Sequence, residues 1–171
     1  MSTAKKILIV VAPKDFRDPE YNDPREVFSE VGMEVKVASI QSGIASGVDG
    51  TEAPIDLTVS QADPSQFDAV VFIGGSGMLE IIKDESLQIL AKKFYTAQKI
   101  TASICAASGV LAQAGILEGK NATSWSGIRD ILEKNGALFS NEGVVTDGKI
   151  ITADGPTSAR KFGEEIVKAL K

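Results

Sequence analysis

The sequence predicts one α/β domain in which helices sandwich a doubly wound, mostly parallel sheet that carries a small β-hairpin excursion. Apolar segments of strand length alternate with segments of helical periodicity along the whole chain. Several strand segments are apolar almost throughout, as expected for parallel strands that are buried on both faces. No repeat, low-complexity segment or linker interrupts residues 1–171, so a single domain is expected.

The elements are predicted from periodicity and from the residues that bound them. Val27, Phe28 and Val31 share one face of the first predicted helix, and Gly32 ends that helix. Glycines and an extended segment predict the hairpin excursion. In chain order the predicted elements are a strand at 6–11, a helix near 19–31, a strand at 34–40, the excursion within 42–59, a strand at 67–73, a helix near 85–97, a strand at 100–105, a helix at 106–114, a short strand at 122–125, a helix near 128–134, a hairpin within 144–153 and a C-terminal helix from 155 onward.

Composition excludes several classes of function. The net charge of −5 gives no electrostatic basis for binding nucleic acid or an anionic membrane. No apolar run reaches the roughly 18 residues of a membrane span, and the N-terminus lacks the pattern of a signal peptide. The single cysteine cannot form an intramolecular disulfide and favours a reducing compartment, so we expect a cytoplasmic protein.

The chain contains no histidine. Histidine is the usual general base at neutral pH and the commonest zinc ligand. A Cys-His or Ser-His dyad therefore cannot form, even across a homodimer interface. Catalysis would have to use carboxylates, the thiol, backbone N–H groups or water, and we expect neither a metal nor another cofactor.

Cys105 stands where a buried strand is predicted to end and a helix to begin. Small residues, Ser103 and Ala107, lie two positions away on either side. This pattern is typical of a nucleophile elbow, with sulfur in place of oxygen, and helix N–H groups would favour the thiolate. The alternative is a small buried apolar residue, the common role of a lone cysteine.

Two further strand ends could contribute to a site, because ligands bind at the carboxyl ends of strands in open α/β sheets. Gly74-Gly75-Ser76-Gly77 could direct backbone N–H groups into a cleft, although a plain tight turn explains the glycines equally well. The segment after the first strand contains four carboxylates, any of which could serve as acid or base if it were buried, or could simply be solvated. These are Asp15, Asp18, Glu20 and Asp23.

Taken together, these segments resemble the ThiJ/PfpI superfamily, which has a flavodoxin-like, glutamine-amidotransferase-like fold. ITASICAASGVLAQAGIL resembles its cysteine elbow, and FDAVVFIGGSG resembles its strand that ends in Gly-Gly. GKNATSWSGIRDILEKNGA and GKIITADGPTSARKFGEEIVKAL resemble its C-terminal third. The resemblance covers nearly the whole chain, in order.

The resemblance implies roles for particular residues. Cys105 matches the family's nucleophile, and the backbone N–H groups of Gly75 and Ala106 match its oxyanion donors. Glu20 matches the glutamate that hydrogen-bonds the cysteine, because its spacing to Pro24 and Gly32 is that of the family. The loop before Glu20 is about one residue longer than in close relatives, which makes Arg17 and Asp18 pocket candidates, and Trp125 is a third.

Two departures from the family bear on the activity. Ala106 stands where the protease-like branch has histidine, and Trp125 stands where some aldehyde-handling members have histidine. A Cys-His peptidase mechanism is therefore excluded, and a histidine-assisted glyoxalase mechanism is disfavoured. Trp125 could instead be a dry pocket wall or an aromatic surface for stacking a substrate.

Three functional hypotheses remain. The first is a weak, cysteine-dependent glyoxalase-like or hydrolase-like stress protein that acts on small reactive carbonyls. The second is a non-enzymatic sensor of oxidative stress, or a chaperone-like protein, that works through Cys105. The third is an inert cysteine in a fold that acts through its oligomer surfaces. The resemblance implies a homodimer or a larger homo-oligomer in each case.

Overall fold

The computed structural model describes residues 3–171. The strands and helices, in chain order, are β1 (Lys6–Val10), β2 (Lys14–Phe16), α1 (Asp18–Glu30), β3 (Glu34–Ser39), β4 (Ile44–Gly47), β5 (Glu52–Pro54), β6 (Leu57–Thr58), β7 (Ala69–Phe72), α2 (Ser76–Ile81), α3 (Glu85–Thr96), β8 (Ile100–Ile104), α4 (Ser108–Gln113), β9 (Asn121–Ala122), α5 (Arg129–Lys134), β10 (Leu138–Phe139), β11 (Val144–Asp147), β12 (Ile150–Ala153) and α6 (Ala159–Leu170). The alternation of strands and helices confirms the predicted α/β class.

A seven-stranded sheet in the order β11-β12-β8-β7-β1-β3-β6 forms the centre of the molecule. Its strands are parallel except for β11, which pairs antiparallel with β12 in the predicted hairpin. The excursion is also present, because β4 and β5 pair antiparallel and β2 joins them in a separate three-stranded sheet. Strands β9 and β10 form a third, parallel pair.

Helices cover both faces of the central sheet. On one face, alternate strand residues such as Leu8 and Val10 pack with α3, α4 and α5. On the other face, Ile7 and Ile9 pack with α1, α6 and the hairpin excursion. Strands of this kind are buried on both sides, which accounts for the apolar runs in the sequence.

The structure differs from the predicted elements in a few places. Val31 is 49% exposed, because α1 ends at Glu30 and Gly32 turns the chain away with φ +75°. The predicted strand at 122–125 is shorter and lies at Asn121–Ala122. Strand β2, helix α2 and strand β10 were not predicted, since each is short or polar. Within residues 3–171, no helix is long and apolar enough to cross a bilayer.

Candidate active site

Cys105 lies at the turn between β8 and α4, in the left-handed region of backbone space. Its φ is +61°, a conformation that non-glycine residues rarely adopt. A buried hydrogen bond of 2.7 Å between the hydroxyls of Ser103 and Ser108 joins β8 to α4 across the turn and stabilises it. Ser103 and Ala107 are fully buried, so the small residues around the cysteine are required by packing. A strained residue at a strand-to-helix turn, flanked by small buried residues, is the backbone geometry that a nucleophile elbow requires.

Glu20, in the first turn of α1, reaches the same point from the neighbouring layer. Its side chain is fully buried, and its Oε1 accepts a hydrogen bond of 3.0 Å from the N–H of Gly74. The second oxygen, Oε2, is buried with no regular hydrogen-bond partner among the described residues. The Cys105 thiol is nevertheless close enough to lower the pKa of Glu20 through hydrogen bonding.

Close approach requires glycine at the end of β7. A Cβ on Gly74 would lie 2.6 Å from Glu20 Oε1 and 2.7 Å from Cys105 Cβ. A Cβ on Gly75 would lie 2.6 Å from the backbone N of Arg17, and the φ of Gly75 is +118°. The glycine segment therefore does more than turn the chain, because it lets the glutamate, the cysteine and the β2–α1 connection meet at one point.

The predicted oxyanion donors face the sulfur. Hydrogen bonds from the backbone N–H groups of Ala106 and Gly75 both act to lower the pKa of Cys105. They are outweighed, since burial and then the charge of Glu20 raise the pKa of Cys105 to about 12. The expectation that helix N–H groups leave Cys105 with a low pKa is therefore wrong, because burial and then the charge of Glu20 outweigh these donors.

Burial raises the pKa of Glu20 to about 7, with a smaller upward contribution from the charge of Asp154. The two side chains are coupled, because each one's charge disfavours the charge of the other. Around neutral pH the pair therefore holds between one and two protons, and when it holds one, either Glu20 or Cys105 can carry it. Such a pair can pass a proton between a nucleophile and a reacting oxygen.

The two pocket candidates that precede Glu20 have different positions. Arg17 is half-buried, donates its backbone N–H to the Gly74 carbonyl at 2.9 Å, and lowers the pKa of Glu20 through its charge. Asp18 points to the hairpin excursion, where its carboxylate accepts the N–H groups of Asp49 and Thr51 at 2.9 Å each. Asp18 therefore fixes the β4–β5 turn and does not line the pocket.

Trp125 is 44% exposed and lines a cavity of about 320 Å³ at the carboxyl end of β12. Asp154, the residue after β12, lines the same cavity, and the sequence reasoning missed it. Ala153 pairs with Ile104, so Asp154 and Cys105 leave the sheet side by side. The signal that could have revealed Asp154 is its place at the end of a predicted strand next to the elbow strand.

Other features of the described residues lie away from this chemistry. A surface depression of about 1070 Å³ lies between α3 and residues 60–65, and Lys99, which precedes β8, places it at the opposite end of β8 from Cys105. Across residues 3–171, no group of three or more cysteine, aspartate or glutamate side chains is arranged to hold a metal ion.

The fold and the elbow define an α/β protein with a cysteine at a strand-to-helix turn and a buried glutamate beside it. The sequence model of the DJ-1/PfpI family matches residues 5–169. The chain belongs to the DJ-1/PfpI family.

Relatives match nearly the whole chain. A protein of Methanocaldococcus jannaschii is 41% identical over 97% of this chain and 82% of its own length. Deglycase PfpI of Pyrococcus furiosus is 34% identical over 97% of this chain and 99% of its own. General stress protein 18 of Bacillus subtilis is 31% identical over 98% of each. The crystal structure of a ThiJ/PfpI domain protein from Brachyspira murdochii superposes with a TM-score of 0.96 at 38% identity, covering 99% of this chain and 98% of the other.

Proposed function

We propose that the protein is a cysteine-dependent enzyme that acts on small reactive carbonyl compounds, with Cys105 as nucleophile and Glu20 as proton shuttle. The observation that carries the proposal is the meeting of Glu20, Cys105 and two backbone N–H donors at one buried point. A relative of similar length is named a deglycase, a name that implies reaction at a carbonyl-derived group. Only the protein groups already described are needed.

The first step is addition of the thiol to an aldehyde such as that of methylglyoxal. Glu20 takes the proton of Cys105, and the Sγ–carbon bond forms as the carbonyl π electrons move onto oxygen. The N–H groups of Gly75 and Ala106 stabilise the negative charge on that oxygen. Glu20 then returns the proton to the oxygen, so that the product is a neutral hemithioacetal.

The second step moves a proton between carbon atoms. Glu20 removes the proton from the hemithioacetal carbon, and the resulting enediol is reprotonated at the adjacent carbon. The former aldehyde carbon is thereby oxidised to a thioester while the neighbouring ketone is reduced to an alcohol, so no external oxidant or reductant is required. Water hydrolyses the thioester to a hydroxy acid and regenerates the Cys105 thiol.

The test compares two reactions of the same cysteine in Glu20→Gln. Turnover of methylglyoxal, followed as the hydroxy acid by NMR, is expected to fall at least about tenfold, because the proton shuttle is lost. Alkylation of Cys105 at pH 8, read by intact mass, is expected to become faster, because an ionised neighbour no longer raises the pKa of the thiol.

The controls isolate the site. Cys105→Ser is expected to remove turnover, whereas Glu142→Gln, at an exposed glutamate outside the cavity, is expected to leave both reactions unchanged. Full turnover in Glu20→Gln would remove Glu20 from the mechanism. Full turnover in Cys105→Ser would overturn the proposal altogether.

A redox role for the same cysteine is the second candidate. The unpartnered Oε2 of Glu20 favours it, because a protonated carboxyl can donate a hydrogen bond to an oxygen added to sulfur. Two equivalents of peroxide would convert the thiol to a sulfenic and then a sulfinic acid, releasing one water at each step. Intact and peptide mass should show oxidation at Cys105 at peroxide doses that leave the methionines unmodified, and methionine oxidation preceding that of Cys105 would exclude this role.

A further inference from the structure

The cavity at the carboxyl end of β12, the strand that pairs with the elbow strand β8, has one ionisable residue in its lining. The lining includes Thr123, Trp125, Phe139, Asn141 and Asp154, and of all the lining residues only Asp154 carries a charge. Asp154 and Cys105 follow the paired strand residues Ala153 and Ile104, so a compound held at the thiol would have Asp154 as its neighbour on the next strand.

Asp154 faces the cavity without a counter-charge. Its Oδ1 accepts a hydrogen bond of 2.7 Å from the hydroxyl of Ser158, a neutral donor. None of the ion pairs formed among residues 3–171 includes Asp154. Arg129, which stacks on Phe139 of the cavity wall at 4.7 Å, is already paired with Glu133. The cavity therefore presents a net negative charge to whatever enters it.

Trp125 supplies an aromatic wall to the same cavity. A Cβ on Gly127 would collide with its six-membered ring, so the ring lies against the Gly127 backbone. The residue is 44% exposed, which leaves ring surface free for a ligand. Aromatic rings attract cations through their faces.

A buried, unpartnered hydroxyl completes the lining. Thr123 is 1% exposed, its backbone N–H donates to Thr152 Oγ1 at 2.9 Å, and its own Oγ1 has no partner among the described residues. Native proteins leave few buried polar atoms unpaired, so an unpaired one in a cavity wall points to a ligand or water that satisfies it.

We infer that this cavity is a subsite for an organic cation, and that the preferred substrates carry an ammonium or guanidinium group beside the reactive carbonyl. The inference rests on the proposed function for the reaction itself, but not for the recognition of charge. Asp154 supplies the opposite charge, Trp125 the aromatic face, and Thr123 a hydroxyl that can accept an N–H.

The test uses the single cysteine as a reporter of what enters the cavity. Three methanethiosulfonates that carry an ethylammonium, a methyl or an ethylsulfonate group are reacted with Cys105, and the rates are read by intact mass. Each rate is divided by that for free cysteine with the same reagent, which removes differences in intrinsic reactivity. The ratio of the rates for two reagents is also independent of the thiolate fraction, because the same thiolate attacks all three reagents. Work at pH 6 keeps Glu20 largely protonated, so that Arg17 and Asp154 are the charges that act near the thiol, and the variants change only Asp154.

The wild-type protein is expected to favour the cationic over the anionic reagent. In Asp154→Asn this ratio should fall by about tenfold, because one unit charge acts in opposite directions on the two reagents. Asparagine keeps an acceptor for Ser158, which limits any structural effect. In Trp125→Leu, at an exposed position, the rate with the cation should fall by about threefold while the rate with the anion is unchanged.

Glu142→Gln is the matched control, since it removes the same charge from an exposed position next to the cavity-lining Asn141. A ratio that changes equally in Asp154→Asn and Glu142→Gln would overturn the subsite, as would a wild-type ratio near one. A cationic preference in a protein that turns over no carbonyl compound would instead retain the subsite and refute the proposed reaction.

Discussion

Replacing Glu20 by glutamine is expected to stabilise the protein above pH 7 and to leave its stability unchanged below pH 4.5. Burial raises the pKa of Glu20 from 4.5 to about 7, so between these values the folded protein holds a proton that the unfolded chain releases. Because the folded state binds more protons, the free energy of unfolding falls as the pH rises through this window. A pKa shift of this size corresponds to a loss of about 3 kcal/mol in the free energy of unfolding across the window.

Glutamine removes that cost, because it does not ionise and its Oε1 can still accept the N–H of Gly74. Urea unfolding of wild type and Glu20→Gln, followed by circular dichroism between pH 4 and 8, measures the difference. We expect the two curves to separate progressively from pH 4.5 to 7 and then to run parallel up to pH 8. Glu142→Gln, which removes an exposed glutamate, should follow the wild type throughout. A constant difference at all pH values would refute the raised pKa and reduce Glu20 to a packing residue.

Two substitutions test the geometry of the elbow. Gly74→Ala should lower the free energy of unfolding, measured in urea, by about 2 kcal/mol and should slow alkylation of Cys105, because the added Cβ would press on Glu20 and Cys105. An unchanged free energy of unfolding would show that the close approach is not rigid. Cys105→Gly should be more stable than Cys105→Ala by about 1 kcal/mol, because glycine adopts the φ of +61° at this position without strain. The opposite order of stability would show that the turn relaxes when the sulfur is removed.

Much of the fold could be predicted because its strands are buried on both faces. The apolar runs that become β1, β7 and β8 have no alternative but the core, and the periodicity of α3 and α6 directs one face of each helix inward. The strand-to-helix turn at Cys105 could also be predicted, because the cysteine stands between a buried strand and a run of small residues, whereas this pattern alone did not distinguish a nucleophile from a small buried apolar residue. Family spacing, and not periodicity, identified Glu20.

The remaining parts of the site depend on tertiary contacts that leave little trace in one sequence. Asp18 and Glu20 lie two residues apart in α1, yet the carboxylate of Asp18 binds the β4–β5 turn and that of Glu20 binds the N–H of Gly74 beside the thiol. Nothing in their local sequence distinguishes these roles, because the partners are Thr51 for one and Gly74 for the other. Asp154 was missed for the same reason, since it reaches the site through the pairing of β12 with β8.

The absence of histidine sets the pH range in which such a site can work. In the proposed reaction Glu20, with its pKa raised to about 7, takes the part that histidine usually plays, but its negative charge also raises the pKa of Cys105 and so lowers the fraction of thiolate. The form that the proposed mechanism requires is the pair with one proton, which can lie on Glu20 or on Cys105. That form becomes populated as the pH rises through about 7 and persists until Cys105 ionises at about 12. Turnover should therefore rise with pH through about 7 and then level off, whereas a maximum below pH 6 would mean that the doubly protonated pair is the active form and that another group accepts the thiol proton.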